Sequence, residues 1–192
     1  MAKSHLNDAE GRYLLAFARF TIEDALGAPT QIPQALPTMD RLREPGAAFV
    51  TLTMREGALR GCIGSLIAHR PLLEDVRANA LAAAFEDPRF LPLEAGELPD
   101  LAVEVSVLSQ PEPLGYASSE QLLSLLRPHI DGVVIERGRH RATFLPQVWE
   151  QLPLPEEFLG HLCYKAGLPA NAWRQGDLRV STYGVQKFEE AD

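Results

Sequence analysis

Residues 47–64 read Ala47-Ala48-Phe49-Val50-Thr51-Leu52-Thr53-Met54-Arg55-Glu56-Gly57-Ala58-Leu59-Arg60-Gly61-Cys62-Ile63-Gly64, and this stretch decides the fold class. Ala47 to Thr53 has the composition of a strand, Arg55-Glu56-Gly57 that of a tight turn, and Ala58 to Leu66 returns as a second strand. Strands joined this closely pair antiparallel, because a parallel partner needs a long crossover.

Working outward, the same grammar repeats. On the amino-terminal side a helix is expected from Asp8 to Leu26, with Asn7 or Asp8 as cap and Gly27 as stop. Tyr13, Phe17 and Phe20 recur along it at helical spacing and form a broad apolar face. Pro29, Pro33, Pro37 and Pro45 then stiffen an irregular passage. On the carboxyl-terminal side Pro71 opens a second helix, where Leu72, Val76, Ala80, Ala83 and Ala84 make a stripe that runs to Phe85. Asp87-Pro88-Arg89-Phe90 breaks it.

Leu101 to Leu108 is the clearest strand, with Val103, Val105 and Val107 on one face and Glu104 and Ser106 on the other. Ser118 to Gln121 reads as a helix start, with that helix running through Leu126. A second hairpin pairs Val133–Glu136 with Arg141–Phe144 about Gly138. A third long helix spans Pro155 to Ala166, and a last strand runs from Leu178 to Phe188, interrupted at Gly184. Tight hairpins dominate. The expectation is therefore an α+β fold, a mainly antiparallel sheet with flanking helices, and not a doubly wound parallel one.

The 192 residues carry a formal net charge of −8, with 46% hydrophobic and 23% charged residues. That is the balance of a globular chain. Its sign argues against a general nucleic-acid binder, whose affinity comes from basic side chains on phosphates. No apolar run approaches a membrane span. Met1-Ala2-Lys3-Ser4-His5 lacks the apolar core of a secretory signal, so a cytoplasmic location with two reduced thiols, Cys62 and Cys163, is expected. Two cysteines and five scattered histidines form no metal-ligand spacing, and the nucleotide-binding and iron–sulfur motifs are absent.

The chemistry-bearing stretch is Arg60-Gly61-Cys62-Ile63-Gly64. Strand alternation puts Arg60, Cys62 and Gly64 on one face, where a guanidinium beside a thiol favours the reactive thiolate. Glycine inside a strand marks close approach by a backbone or ligand, so Gly61 and Gly64 suggest a cleft wall. The alternative is that Cys62 is a small buried hydrophobe. No histidine is placed to act as its base; His69 falls beyond the strand and reads as a surface residue.

Asp87 and Arg89 sit on a stiff loop that either grips an anion or simply ends a helix. Glu104 requires a cationic partner if its sheet face is covered and has no special meaning if that face is solvated. His161 and Cys163 lie two apart on a helix and do not face one another. Arg137, Arg139, His140 and Arg141 form either an anion patch or a solvated sheet edge.

Six ordered phrases carry a resemblance. They are Leu59–Gly64, Ala83–Phe90, Val103–Leu108, Asp131–Glu136, Leu145–Val148 and Leu162–Pro169, and together they resemble the AMMECR domain family, protein A of the AmmeMemoRadiSam system. The likeness covers residues 8–188 as a single domain. It implies an α+β fold of two unequal subdomains around a cleft, and association with a Memo-type protein and a radical-SAM enzyme. It implies no reaction and no cofactor. It places Arg60, Gly61, Cys62 and Gly64 on that cleft, with Asp87, Arg89 and Glu104 facing the same space. Tyr164 departs from the pattern, where a leucine is expected.

Two functions remain open. One is a binding or accessory component for those partners, with a small anionic ligand in the cleft. The other is an enzyme or enzyme subunit using Cys62 as a thiolate nucleophile or redox group, with Arg60 polarising it and Glu104 as acid or base. RNA binding by the Arg137–Arg141 hairpin is disfavoured by the overall acidity.

Overall fold

In the computed structural model, which describes residues 6–190, the chain divides into two units. The amino-terminal stretch read for a secretory signal lies outside the described residues. The first unit takes the chain to Ser109 and resumes at Gln186; the second is Gln110–Val185.

The first unit begins with α1 (Asp8–Ala25). Asn7 caps it: its Oδ1 accepts from Glu10 N–H at 2.9 Å while Glu10 accepts from Asn7 N–H at 2.8 Å, so both orphan donors are satisfied. Gly27 ends it at φ 68°. A four-residue helix, α2 (Asp40–Arg43), punctuates the proline-rich passage. Then come β1 (Pro45–Met54), β2 (Leu59–Gly64), the two-residue β3 (Arg70–Pro71), α3 (Leu72–Phe85), a 3-10 turn at Ala95–Asp100 and β4 (Leu101–Leu108).

The second unit holds β5 (Glu112–Pro113), α4 (Ser119–Leu125), the hairpin β6 (Gly132–Arg137) and β7 (His140–Phe144), α5 (Pro155–Lys165) and β8 (Arg179–Tyr183). β9 (Val185–Glu189) follows at once.

The expected single last strand is therefore two strands in two sheets. The first sheet runs β2-β1-β4-β9, with β3 pairing to β1; the second runs β5-β8-β6-β7. Alternation alone cannot reveal this, since the side-chain period continues through Gly184 and only partner choice separates the halves. The pairings β1–β2, β1–β4, β6–β7 and β6–β8 are antiparallel, as the hairpins required.

One face of the first sheet is closed. Ala48, Val50 and Leu52 of β1 and Val103 and Val105 of β4 are buried beneath Leu14, Ala18 and Ile22 of α1 and Val76, Ala80 and Ala83 of α3. Each valine, leucine or isoleucine side chain withdrawn from water contributes about 1.5–3 kcal/mol, and the alanines let the helices approach closely, which is why these stripes dictate the packing.

A buried carboxylate stitches this layer together. Asp75 accepts from Ala48 N–H (2.9 Å), Ser65 Oγ (2.7 Å), Arg70 Nε (2.8 Å) and Asn79 Nδ2 (3.0 Å), tying β1 and the segment after β2 to α3. The second unit has its own core of Val133, Ile135, Trp149, Phe158, Leu162, Cys163 and Trp173, in which the Trp149 and Phe158 rings stack at 3.7 Å. No helix among the described residues is long and apolar enough to cross a membrane.

Candidate functional site

The other face of the first sheet is where the chemistry-bearing side chains lie. Thr51 is opposite Cys62 on one side and opposite Glu104 on the other, so the thiol, hydroxyl and carboxylate form one row across β2, β1 and β4. All three are half-buried, whereas Val50, Leu52, Val103 and Val105 on the closed face are buried outright. Thr51 Oγ1 donates to Cys62 Sγ at 3.4 Å. Ser106 donates to Glu104 Oε1 at 2.9 Å, and Lys187 of β9 pairs with Glu104 Oε2 at 2.8 Å and with Glu189 at 3.2 Å. Glu104 thus has a cationic partner, and its hydrogen bond lifts the Lys187 pKa above the ordinary lysine value.

β2 is an edge strand, and the outward backbone of Cys62 is not left open. Its N–H donates to Asp87 Oδ2 at 2.9 Å and its carbonyl accepts from Arg89 Nη2 at 3.3 Å. A carboxylate and a guanidinium here take the places that an acceptor and a donor of a further strand would occupy, which is one way to blunt a sheet edge. The pair is joined as a fork: Arg89 Nε reaches Asp87 Oδ1 at 2.9 Å and Nη2 reaches Oδ2 at 2.6 Å. Asp87 is buried, whereas the Arg89 side chain is half exposed. The fork, reinforced by the N–H groups of Cys62 and Arg89, holds the Asp87 carboxyl well below the usual carboxylate range, against the opposing effect of burial.

Arg60 departs from the simple alternation and pairs with Glu97. Thr53 pairs with Leu59 and Leu52 with Gly61, so Arg60 is the extra residue of a β-bulge and the alternation breaks there. Its guanidinium binds Glu97 through Nε (2.7 Å) and Nη2 (3.0 Å), which raises its own pKa and lowers that of Glu97. It also lies 5.8 Å from the centroid of Phe90, over which Arg89 sits at 5.5 Å. Arg60 Nη1 is buried with no hydrogen-bond partner among the described residues.

The two glycines have packing reasons. A Cβ on Gly61 would stand 2.1 Å from the Ala83 carbonyl oxygen, where the end of α3 presses on β2. A Cβ on Gly64 would stand 2.2 Å from the Phe49 ring, which lies across the strand from it. Cys62, Asp87 and Arg89 are therefore brought together, Glu104 joins them through Thr51, and Arg60 is redirected.

Thr51, Lys187 and Asp75 were not singled out from sequence. Thr51 gives no signal, since threonine is ordinary in a strand. Asp75 does give one: a carboxylate inside the Leu72–Val76 stripe must find partners. Elsewhere, His69 Nδ1 lies 2.9 Å from its local Ile67 carbonyl. His161 is exposed while Cys163 is buried. The basic hairpin is partly compensated, with Arg137 on Asp177 at 3.2 Å and Arg141 and the neighbouring Arg179 sharing Glu136 at 3.2 and 3.8 Å. Tyr164 is 78% exposed, so the departure from leucine has no effect on core packing.

Comparison with known proteins agrees with the phrases. The AMMECR1 family model matches residues 15–188. A protein of Methanothermobacter thermautotrophicus is 41% identical over 197 residues and covers 99% of both chains. One from Thermofilum pendens is 40% identical over 201 residues, covering 96% of this chain and 92% of that one. The crystal structure of the uncharacterized protein PH0010 from Pyrococcus horikoshii superposes with a TM-score of 0.77 at 36% identity, covering 96% of this chain and 93% of the other.

Proposed function

The chain belongs to the AMMECR1 family, and from that membership we propose that it is a binding or accessory component that acts with a Memo-type protein and a radical-SAM enzyme. Its recognition surface in this proposal is the half-exposed face of β2, β1 and β4 around Cys62, with the expected cleft lying over that face. The observation that carries the reading is the contrast between the two sides of one sheet. The closed face is uniformly aliphatic, while the other sets Cys62, Thr51, Glu104 and Lys187 in one row.

Polar groups kept in a fixed array on a half-exposed surface suit recognition. Each already has a protein partner, so their geometry is held before any ligand arrives, and less ordering is needed on binding. The half-exposed Arg89 at the edge of the row supplies the charge for a small anionic ligand. The partners follow from the family resemblance and not from the geometry.

Co-purification tests the proposal. The wild-type chain is expected to retain the Memo-type or radical-SAM protein encoded with it. Thr51→Val and Glu104→Gln should weaken that association about tenfold or more, as loss of an interfacial polar contact does. Failure to associate at any salt, or with nucleotide or metal added, overturns it.

The second reading is catalytic. It is supported by the Thr51 hydroxyl that donates to the Cys62 sulfur and by the nearby Arg89 guanidinium. Cys62 would then act as nucleophile or redox group. A Cys62 that reacts with iodoacetamide no faster than a model thiol at neutral pH removes this reading.

A further inference from the structure

A hollow lies in the first unit between α1 and α3, lined by none of the residues of the sheet row. It has a volume of about 430 Å³ and is lined by Phe17, Phe20 and Ile32 together with Leu81, Asp24 and Arg77. Its volume falls in the range of small-molecule sites, roughly 300–1,000 Å³. Phe17 and Phe20 stack on each other at 6.3 Å and supply an aromatic floor. Ile32 stands 66% exposed at its side. Apolar surface held open around a concavity favours an apolar occupant.

The charges set the rest of the chemistry. Asp24 comes from α1 and Arg77 from α3, and both line this one hollow. Neither takes part in an ion pair or a side-chain hydrogen bond among the described residues. Unpaired charges are common on surfaces; two of opposite sign bordering the same apolar hollow are a more specific arrangement. A purely apolar ligand would use neither, and a monoanion only Arg77. A ligand with an ammonium, a carboxylate and an apolar body uses the whole site.

We propose that the hollow between α1 and α3 binds a free α-amino acid with an aromatic or bulky aliphatic side chain. The carboxylate pairs with Arg77, the ammonium with Asp24 and the face of a phenylalanine ring, and the side chain rests on Phe17, Phe20 and Leu81. Exposed charges are screened by water, so the affinity is modest: a ligand of this size binds with a dissociation constant on the order of 1 mM. The site is independent of the Cys62 face and stands whether or not that face binds partners.

Titration of the full chain with L-phenylalanine, followed by calorimetry or ligand-observed NMR, tests this. Phenylacetate and phenethylamine each keep one charge and should bind at least about fivefold more weakly than phenylalanine. Asp24→Asn should weaken phenylalanine and phenethylamine but leave phenylacetate unchanged; Arg77→Gln should weaken phenylalanine and phenylacetate but leave phenethylamine unchanged. Both positions are exposed, so neither substitution endangers folding. No saturable binding at concentrations about tenfold above the expected constant overturns the proposal, as does binding insensitive to both substitutions or shown only by longer peptides.

Discussion

The two cysteines occupy opposite physical settings. Cys163 is wholly buried in the second unit's aromatic core, and burial pushes its thiol above the ordinary cysteine value. Cys62 is half-buried on a polar face, with a hydroxyl on its sulfur and a buried carboxylate and a guanidinium on its backbone. One thiol serves packing. The other carries a hydroxyl donor on its sulfur, a contact that an aliphatic side chain could not accept. The same residue type thus marks a core in one unit and a candidate site in the other, and its neighbours tell the two apart.

The sharpest way to break the contrast is alkylation of the native chain with iodoacetamide. Cys163 can react only through local opening, so Cys62 should be modified faster by at least about 100-fold, and the difference should vanish in denaturant. Comparable native rates would erase the contrast. Serine substitution comes next: Cys163→Ser buries a hydroxyl in the aromatic core with only the Trp173 N–H beside it among the described residues and should cost about 2 kcal/mol in urea unfolding, against about 0.5 kcal/mol or less for Cys62→Ser.

Asp87→Asn probes what holds Cys62. It should cost about 1–2 kcal/mol and speed amide exchange at Cys62, because the fork to Arg89 and the bond to the Cys62 N–H both weaken. The pH dependence has a definite sign. The folded Asp87 carboxyl titrates below its unfolded range, so the unfolded chain binds more protons in that interval. The stabilisation is full above the usual carboxylate range and is lost as pH falls from about 5 through the lower folded value; the asparagine variant lacks that acid limb. Smallest is Glu104→Gln, which breaks only the pair with half-exposed Lys187 and should change stability by about 0.5 kcal/mol or less, with less effect at high salt.

Much of the architecture could be read from local pattern. β4 was legible because its valines alternate, the first hairpin because Gly57 must take its φ of 82°, and α1 because Asn7 and Glu10 satisfy each other's backbone. What stayed hidden depends on partners distant in sequence. The bulge at Arg60 is set by register against β1, and it moves the guanidinium from the thiol to Glu97. Asp87 and Arg89 could be read as polar residues on a stiff loop, yet only tertiary placement reveals the strand edge they occupy. Lys187 could not be joined to Glu104 without knowing that β9 lies next to β4.

That last adjacency has a consequence for how the molecule is made. The strand that completes the first sheet leaves the ribosome only after the whole second unit has been synthesised. Until then α1 lacks the Glu190 carboxylate that Arg19 clasps, and Leu6 lacks Gln186, whose amide it meets through bonds of 2.9 and 2.7 Å. The unit begun first is therefore finished last, and a nascent chain halted before β9 carries an unpaired β4 edge for chaperones to shield.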